Sequence, residues 1–329
     1  VGKREVCKEQ SRGWWGGGGG GFFFFFFPAA PAGARLALPL RPPPGGGGPA
    51  GLEAARVCAA RGHEVVLFEA SGRLGGQVLL AGKLGWRRDL LGITEWLERE
   101  CTRLGVSIRL NCLAEPQDII DEAPDVVLMA TGGTPHTDWV GGDAAILSSW
   151  DVLSGMASLE GDVLVHDQTG RNVAMAAADY LSQAGVSVTL NTQDAAIGME
   201  AMRLEISPFM KRFYERGVTM QVDRELIAAE TSDNKISVTF RNMHTGTTSR
   251  QSFDHVVVEA GTLPNDELFY GLSDGAANRG VIDLDAMRDG RPQPVGEAAG
   301  YHLYRIGDVA GSRDIHCALL DALRICATI

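Results

Sequence analysis

No two of the six cysteines (Cys7, Cys58, Cys101, Cys112, Cys317 and Cys326) stand in a C-x-x-C pair, so neither a zinc ribbon nor an iron–sulfur motif is encoded. Scattered this way, they read as buried, reduced thiols of an intracellular protein rather than as a disulfide framework. A basic surplus is missing too: 30 Lys and Arg against 41 Asp and Glu leave a net charge of −11. Such a chain has no electrostatic footprint for general nucleic-acid binding. No apolar run reaches the ~18 residues of a membrane span. The phenylalanine tract is bounded by Gly and Pro and has no cleavage-like sequence after it. The expectation is a cytoplasmic protein with neither a membrane nor a nucleic-acid partner. With 329 residues, 45% hydrophobic and 22% charged, it is long enough for one large or two moderate cores.

The first 44 residues differ from the rest. Gly16–Gly21 and Phe22–Phe27 are followed by Pro/Ala/Gly-rich sequence ending in Pro42-Pro43-Pro44. Neither tract has a helical or strand period. With Val1 in place of Met, they read as translated homopolymer or an aberrant 5′ end, a disordered tail being the alternative. From Gly45 onward strands and helices alternate, which implies parallel sheets covered on both faces. The pattern predicts helices over Gly51–Arg61, Leu90–Leu104, Val173–Ala184 and Ser207–Glu215. It predicts strands over Glu64–Glu69, Val106–Leu110, Val126–Ala130, Val163–His166, Ser187–Asn191, Lys235–Arg241, His255–Glu259 and Leu303–Ile306. Helices are expected to stop at Gly62, Gly105, Gly185 and Gly217.

Four short motifs carry the chemistry. The run Gly45-Gly46-Gly47-Gly48-Pro49-Ala50-Gly51 opens a helix, and eighteen residues after Gly51 a strand ends in Glu69. That is the spacing of a dinucleotide-binding βαβ unit, with Gly46, Gly48 and Gly51 at the three glycine positions and Glu69 placed to accept from a ribose. Leu74-Gly75-Gly76-Gln77 follows, where paired glycines let backbone approach a flat ligand and the Gln amide can bond it. Ala130-Thr131-Gly132-Gly133 closes a strand with small residues at the sheet edge, and Ile306-Gly307-Asp308 sets a carboxylate at a strand end. Taken singly, the last three are equally readable as turns or caps.

Their order resembles the two-dinucleotide-domain flavoproteins. In detail, Gly46–Arg56, Leu74–Gln77, Ala130–Pro135 and Ile306–His316 resemble the C-terminal half of the trimethylamine dehydrogenase and 2,4-dienoyl-CoA reductase family. The stretch Arg313-Asp314-Ile315-His316 is most similar to the amine-demethylating members. The resemblance covers roughly residues 45–329. It implies an α/β fold of two Rossmann-like three-layer dinucleotide-binding domains, the second inserted in the first. Residues 45–158 and 255–329 would form the FAD/ADP-binding domain and 159–254 the inserted NAD(P)-domain-like unit. The positions it carries over as flavin or adenine-nucleotide contacts are Gly46, Gly48, Pro49, Ala50, Gly51, Glu69, Gln77, Ala130, Thr131, Gly132, Gly307 and Asp308.

Three departures bear on function. The 44 residues upstream of Gly45 are too few for the family's N-terminal barrel, so FMN, the iron–sulfur cluster and the substrate pocket are expected outside this chain. A separate barrel or electron-transfer protein is then the implied partner, beside the adenine dinucleotide itself. After Val163–His166 only Gly170 stands where three glycines would be expected, so side chains would obstruct NAD(P)H at the second unit. Pro42–Pro44 occupy the place of the first strand, and Arg35–Leu38 lies several residues early, which predicts a degraded first strand. His316 reads either as a hydrogen-bonding group near the flavin end or as helix-start packing, and His166 as structural. No catalytic residue and no metal site emerges. The expected activity is that of a flavin-dependent oxidoreductase module, with a non-catalytic nucleotide-binding domain or an inactive fragment as the alternative.

Overall fold

The computed structural model describes residues 35–40, 47–294 and 300–329, with Pro39 and Leu40 described by backbone alone. Gly45, Gly46, the glycine and phenylalanine tracts and Pro42–Pro44 lie outside the described residues. In chain order the first elements are β1 (Arg35–Leu40), α1 (Pro49–Ala60), β2 (Glu64–Glu69), α2 (Val78–Ala81), α3 (Leu91–Arg103), β3 (Ser107–Arg109), α4 (Pro116–Asp121) and β4 (Val126–Met129). A connecting stretch holds β5 (Gly133–Pro135), β6 (Ile146–Ser148) and α5 (Ser149–Ser154). Next come β7 (Asp162–Asp167), α6 (Asn172–Gln183), β8 (Ser187–Thr192), α7 (Arg203–Arg216) and β9 (Thr219–Gln221). The chain continues through β10 (Arg224–Ser232), β11 (Lys235–Asn242), β12 (Thr248–Phe253), β13 (His255–Glu259) and β14 (Thr262–Pro264). It closes with α8 (Glu267–Ser273), α9 (Leu284–Asp289), β15 (His302–Arg305) and α10 (Ile315–Cys326).

Two five-stranded parallel sheets organise these elements, in the orders β15-β4-β1-β2-β3 and β6-β13-β7-β8-β9. Their strands are short apolar runs buried on both faces, as Val65, Leu67 and Phe68 of β2 or Val163, Leu164 and Val165 of β7 show. On the first sheet, α1, α3 and α10 cover one face around Leu52, Cys58, Leu97 and Ile325. Ile119, Leu268, Phe269 and Leu272 of α4 and α8 cover the other. On the second sheet, α5, α6 and α7 pack over Val163, Val165 and Val257. The opposite face meets the antiparallel sheet β10-β11-β12 through Leu226, Val238 and Phe240. Both units are therefore three-layered and Rossmann-like, and every strand of the second sheet falls between β4 and β15 of the first. No described helix is long and apolar enough to cross a membrane.

Several expectations need correction. The first strand is regular rather than degraded: β1 pairs in parallel with β2 over Arg35–Leu40 and with β4 at Leu36 and Ala37. It tolerates Pro39 because that residue lies past the part paired with β4, where no ladder N–H is needed on that side. Residues 255–259 do not return to the first unit, since β13 lies between β6 and β7 in the second sheet. Sheet membership thus carries the second unit from Ile146 to Glu259, beyond the expected 159–254. Helix α7 begins at Arg203, a turn before the expected Ser207, and takes Pro208 inside it. The carbonyl that Pro208 cannot serve belongs to Leu204, which is 89% exposed, so water can satisfy it. By contrast Gly62, Gly105, Gly185 and Gly217 all carry the positive φ of helix-ending glycines (71–89°).

Candidate functional site

The turn between β1 and α1 is set by Gly47 and Gly48. Gly47 has φ +54°, and a Cβ there would stand 2.6 Å from Leu74 Cδ2 and 2.8 Å from Glu69 Oε2. Only glycine fits that position. The sequence pattern marked Gly46, Gly48 and Gly51, and the need for glycine at the intervening position 47 comes from Leu74 and Glu69, which no local pattern reveals. Gly48 is the N-cap of α1 and Pro49 its first residue, where a missing N–H costs nothing. A Cβ on Gly48 would meet only Gly76 Cα at 3.9 Å, so the protein itself leaves this spot open. Ala50 and Gly51 are buried in the first turn, whose amides an α-helix cannot satisfy internally.

Glu69 ends β2 and is completely buried. Its Oε1 accepts from Ser71 N at 2.6 Å, whereas Oε2, on the side of Gly47, has no hydrogen-bond partner among the described residues. Burial raises its carboxyl above the ordinary range, and the Ser71 bonds partly oppose that. A buried half-satisfied carboxylate is costly in isolation and fits a site built to receive hydroxyl donors.

The remaining motifs close around the same corner. Gly75 N donates to Gly47 O at 2.9 Å, tying the Leu74–Gln77 loop to the glycine turn. Gln77 caps α2, and its Nε2 donates to Asp308 Oδ2 at 2.7 Å. Asp308 sits in the single 3-10 turn Gly307–Val309 that follows β15. Gly307, at φ +68°, packs against Ala50 at the start of α1. The C-terminal ends of β1, β2 and β15 thereby present Gly47–Gly51, Glu69, Gln77 and Asp308 together, beyond the carboxyl edge of the sheet where such folds take ligands.

The third motif plays a different part. Thr131 Oγ1 donates to Asn265 O at 2.6 Å, and Asn265 N donates to Gly132 O at 3.0 Å. Ala130 and Thr131 are buried, so these residues tie the end of β4 to the segment after β14. Only Gly132, with open space where its Cβ would be, leaves room for a neighbour. His316 is exposed in the first turn of α10. Arg313 is engaged by Asp321 and does not face the cleft as a free cation.

The corresponding corner of the second unit is filled from within. Asp167, at the end of β7, accepts through Oδ1 from Thr169 N (2.8 Å), Thr169 Oγ1 (3.0 Å) and Gly170 N (3.1 Å). A diphosphate would need those same amides. Glu200 N donates to Gly170 O at 2.9 Å, and Asn172, first in α6, donates to Glu205 Oε2 at 2.7 Å. Asp167 is the register partner of Glu259 on β13. Burial pushes Asp167 up to about 6 and Glu259 up to about 7. His166 is fully buried beside Asn191, and burial pushes it down to about 3, so the ring stays neutral.

This architecture defines the class. Residues 46–322 match the pyridine nucleotide-disulphide oxidoreductase family, and the chain belongs to it, among flavin-dependent oxidoreductases. It is 41% identical over 281 residues to a probable N-methylproline demethylase of Rhizobium meliloti, covering 84% of this chain and 41% of that protein. It is 42% identical over 286 residues to a multifunctional alkene reductase/demethylase of Caballeronia cordobensis, covering 86% and 42% respectively. An N,N-dimethylglycine/sarcosine dehydrogenase of Chromohalobacter salexigens is 38% identical over 293 residues, with 85% of this chain and 42% of that protein covered. The chain thus spans well under half the length of these curated relatives. Among solved structures, a 2-naphthoyl-CoA reductase superposes with TM-score 0.73 and 25% identity, covering 92% of this chain and 41% of that one. Histamine dehydrogenase from Rhizobium sp. 4-9 shares the fold at TM-score 0.76 and 22% identity, over 92% and 45%. The likeness to demethylating and reducing flavoproteins expected from the four motifs is borne out.

Proposed function

We propose that the first unit binds the ADP portion of FAD, and that the chain is the FAD-carrying module of an amine demethylase-like or enoyl reductase-like oxidoreductase. The observation that carries this reading is Glu69 Oε2, a fully buried carboxylate oxygen with no partner among the described residues, beside a glycine turn that opens a helix. In it Glu69 accepts from the adenosine ribose, the first amides of α1 face the diphosphate past Gly48, and Asp308 and Gln77 reach the far end of the ligand. Bound flavin would supply the hydride or electron transfer, and the protein's part is to position and shield it. The second unit takes no NAD(P)H in this reading, because Asp167 already holds the amides of Thr169 and Gly170. In this reading FMN, an iron–sulfur cluster and the substrate pocket lie outside this chain, which spans well under half the length of its curated relatives. A separate barrel or electron-transfer protein would provide them, in the cytoplasm.

Calorimetric titration with FAD and with ADP, together with the absorption spectrum of the purified chain, tests the reading. Yellow protein releasing flavin on denaturation supports the flavoprotein module. ADP binding without flavin retention favours a non-catalytic adenine-nucleotide domain. Binding of neither ligand to folded protein refutes the site.

A further inference from the structure

Between Gln77 and α3 the chain leaves its own unit. The strap 78–90 passes through α2 and the 3-10 segment Gly85–Leu90. Its buried side chains Leu80 and Leu84 belong to the core of the second unit, with Trp150 and Leu153 of α5 and Met175 and Ala178 of α6. Trp86 completes the attachment. Its indole Nε1 donates at 2.8 Å to Oδ2 of Asp179, a fully buried carboxylate on α6. Arg216 also engages Asp179, and Arg212 approaches it at 3.9 Å. The guanidinium of Arg212 lies 4.2 Å from the centroid of the Trp86 ring, and Phe209 meets that ring edge-on at 4.9 Å. Asp179, Phe209, Arg212 and Arg216 all belong to the second unit. A charge-assisted bond and a cation–π contact on one ring make a specific anchor.

The head of this strap is the cofactor cleft. Gln77, which bonds Asp308, is the N-cap of α2, and Gly75 two residues before it donates to Gly47 O. We propose that Trp86 is a positioning residue: by pinning the strap in the second unit it holds the Leu74–Gln77 loop against the glycine turn and Asp308. The second unit then acts as the foundation of the cleft in the first. Only the last step, from loop position to nucleotide affinity, rests on reading that cleft as a nucleotide site.

Hydrogen exchange of the ligand-free full chain tests it through the amides of Leu79, Leu80, Ala81 and Gly82, all hydrogen-bonded within α2 and its flanks. In Trp86→Ala these amides should exchange about ten-fold faster or more, the equivalent of losing one bond to a buried charge. Exchange in β2 should stay unchanged. Trp86→Phe keeps a ring beneath Arg212 but lacks the donor, and should fall between. Affinity for ADP or FAD should drop by a similar factor. Unchanged exchange in α2 overturns the proposal, and so does equal acceleration of α2 and β2, the mark of a globally weakened fold. If Trp86→Ala does not fold, the same comparison is made with Trp86→Phe and Arg212→Gln. Should the native chain bind neither ADP nor FAD, the cleft reading fails while the exchange comparison still decides the role of Trp86.

Discussion

Gly307 and Ala50 stand so close that a Cβ built on the glycine would lie 2.8 Å from the alanine Cβ. The contact joins the turn after β15 to the first turn of α1, and so places Asp308 beside the helix start. Both the clash and the φ of +68° forbid a side chain at 307. Gly307→Ala should therefore lower the unfolding free energy by roughly 1–3 kcal/mol in urea titration. Combining it with Ala50→Gly should recover part of the loss, since the clash is relieved while the backbone strain remains. Full additivity of the two changes would show that they do not meet.

Gly47 and Gly48 should separate under mutation. Gly47→Ala meets Leu74 and Glu69 and strains the backbone, so it should destabilise the ligand-free protein by about 1–3 kcal/mol. Gly48→Ala has room, and its thermal melt without ligand should stay within about 0.5 kcal/mol of the native chain. Its ADP affinity should nevertheless fall, because the added methyl would project where the proposed site admits the diphosphate. Titrating both variants with ADP checks this, and native affinity in Gly48→Ala would falsify the placement of the diphosphate.

Glu69→Ala should weaken adenine-nucleotide binding by roughly 1–3 kcal/mol, through loss of the acceptor for ribose hydroxyls. Glu69→Gln keeps an acceptor for Ser71 N, and should leave the ligand-free melt nearly unchanged. Calorimetric titration of the two variants measures the effect. Equal ADP affinity in all three proteins would remove Glu69 from the site.

The pair Asp167 and Glu259 predicts a dependence on pH. Burial raises their carboxyls to about 6 and about 7, so the folded chain holds protons that the unfolded chain releases near pH 4. Their contribution to stability is complete below that range and is lost as pH rises through about 6 and 7. Asp194, itself raised, adds to this, and Arg171 works against it at Glu259. Urea midpoints at pH 5 and pH 8 should show the native chain weaker at pH 8, and Asp167→Asn should lose less over the same interval. Parallel curves for the two proteins would disprove a raised carboxyl at this position.

Much of the framework was legible in residue pattern, because buried parallel strands are short, apolar and flanked by glycine. Glu64–Glu69 and His255–Glu259 are strands with the expected bounds. Of the candidate site, the sequence marked Glu69 at a strand end together with Gln77 and Asp308, but not the hydrogen bond that joins the last two across 231 positions. What stayed hidden depends on partners far along the chain. The need for glycine at 47 is set by Leu74 and Glu69, and the assignment of β13 by its pairing with β6 and β7. β10 and β12 carry charged and polar residues on their exposed face, which blurs the alternation that marks a strand. The strap 78–90 reads as an ordinary connection until Leu80 and Leu84 are seen in the neighbouring core.

β15 is bonded to β4, and α10 is seated on α1. During synthesis, therefore, every strand of the inserted sheet leaves the ribosome before the first sheet can be closed. The earlier-made half of the glycine-turn corner must wait with the edge of β4 uncovered until residues 302–326 arrive. A chain halted short of that point would carry a finished inner unit and an open outer one, and would have no Asp308 with which to hold a ligand.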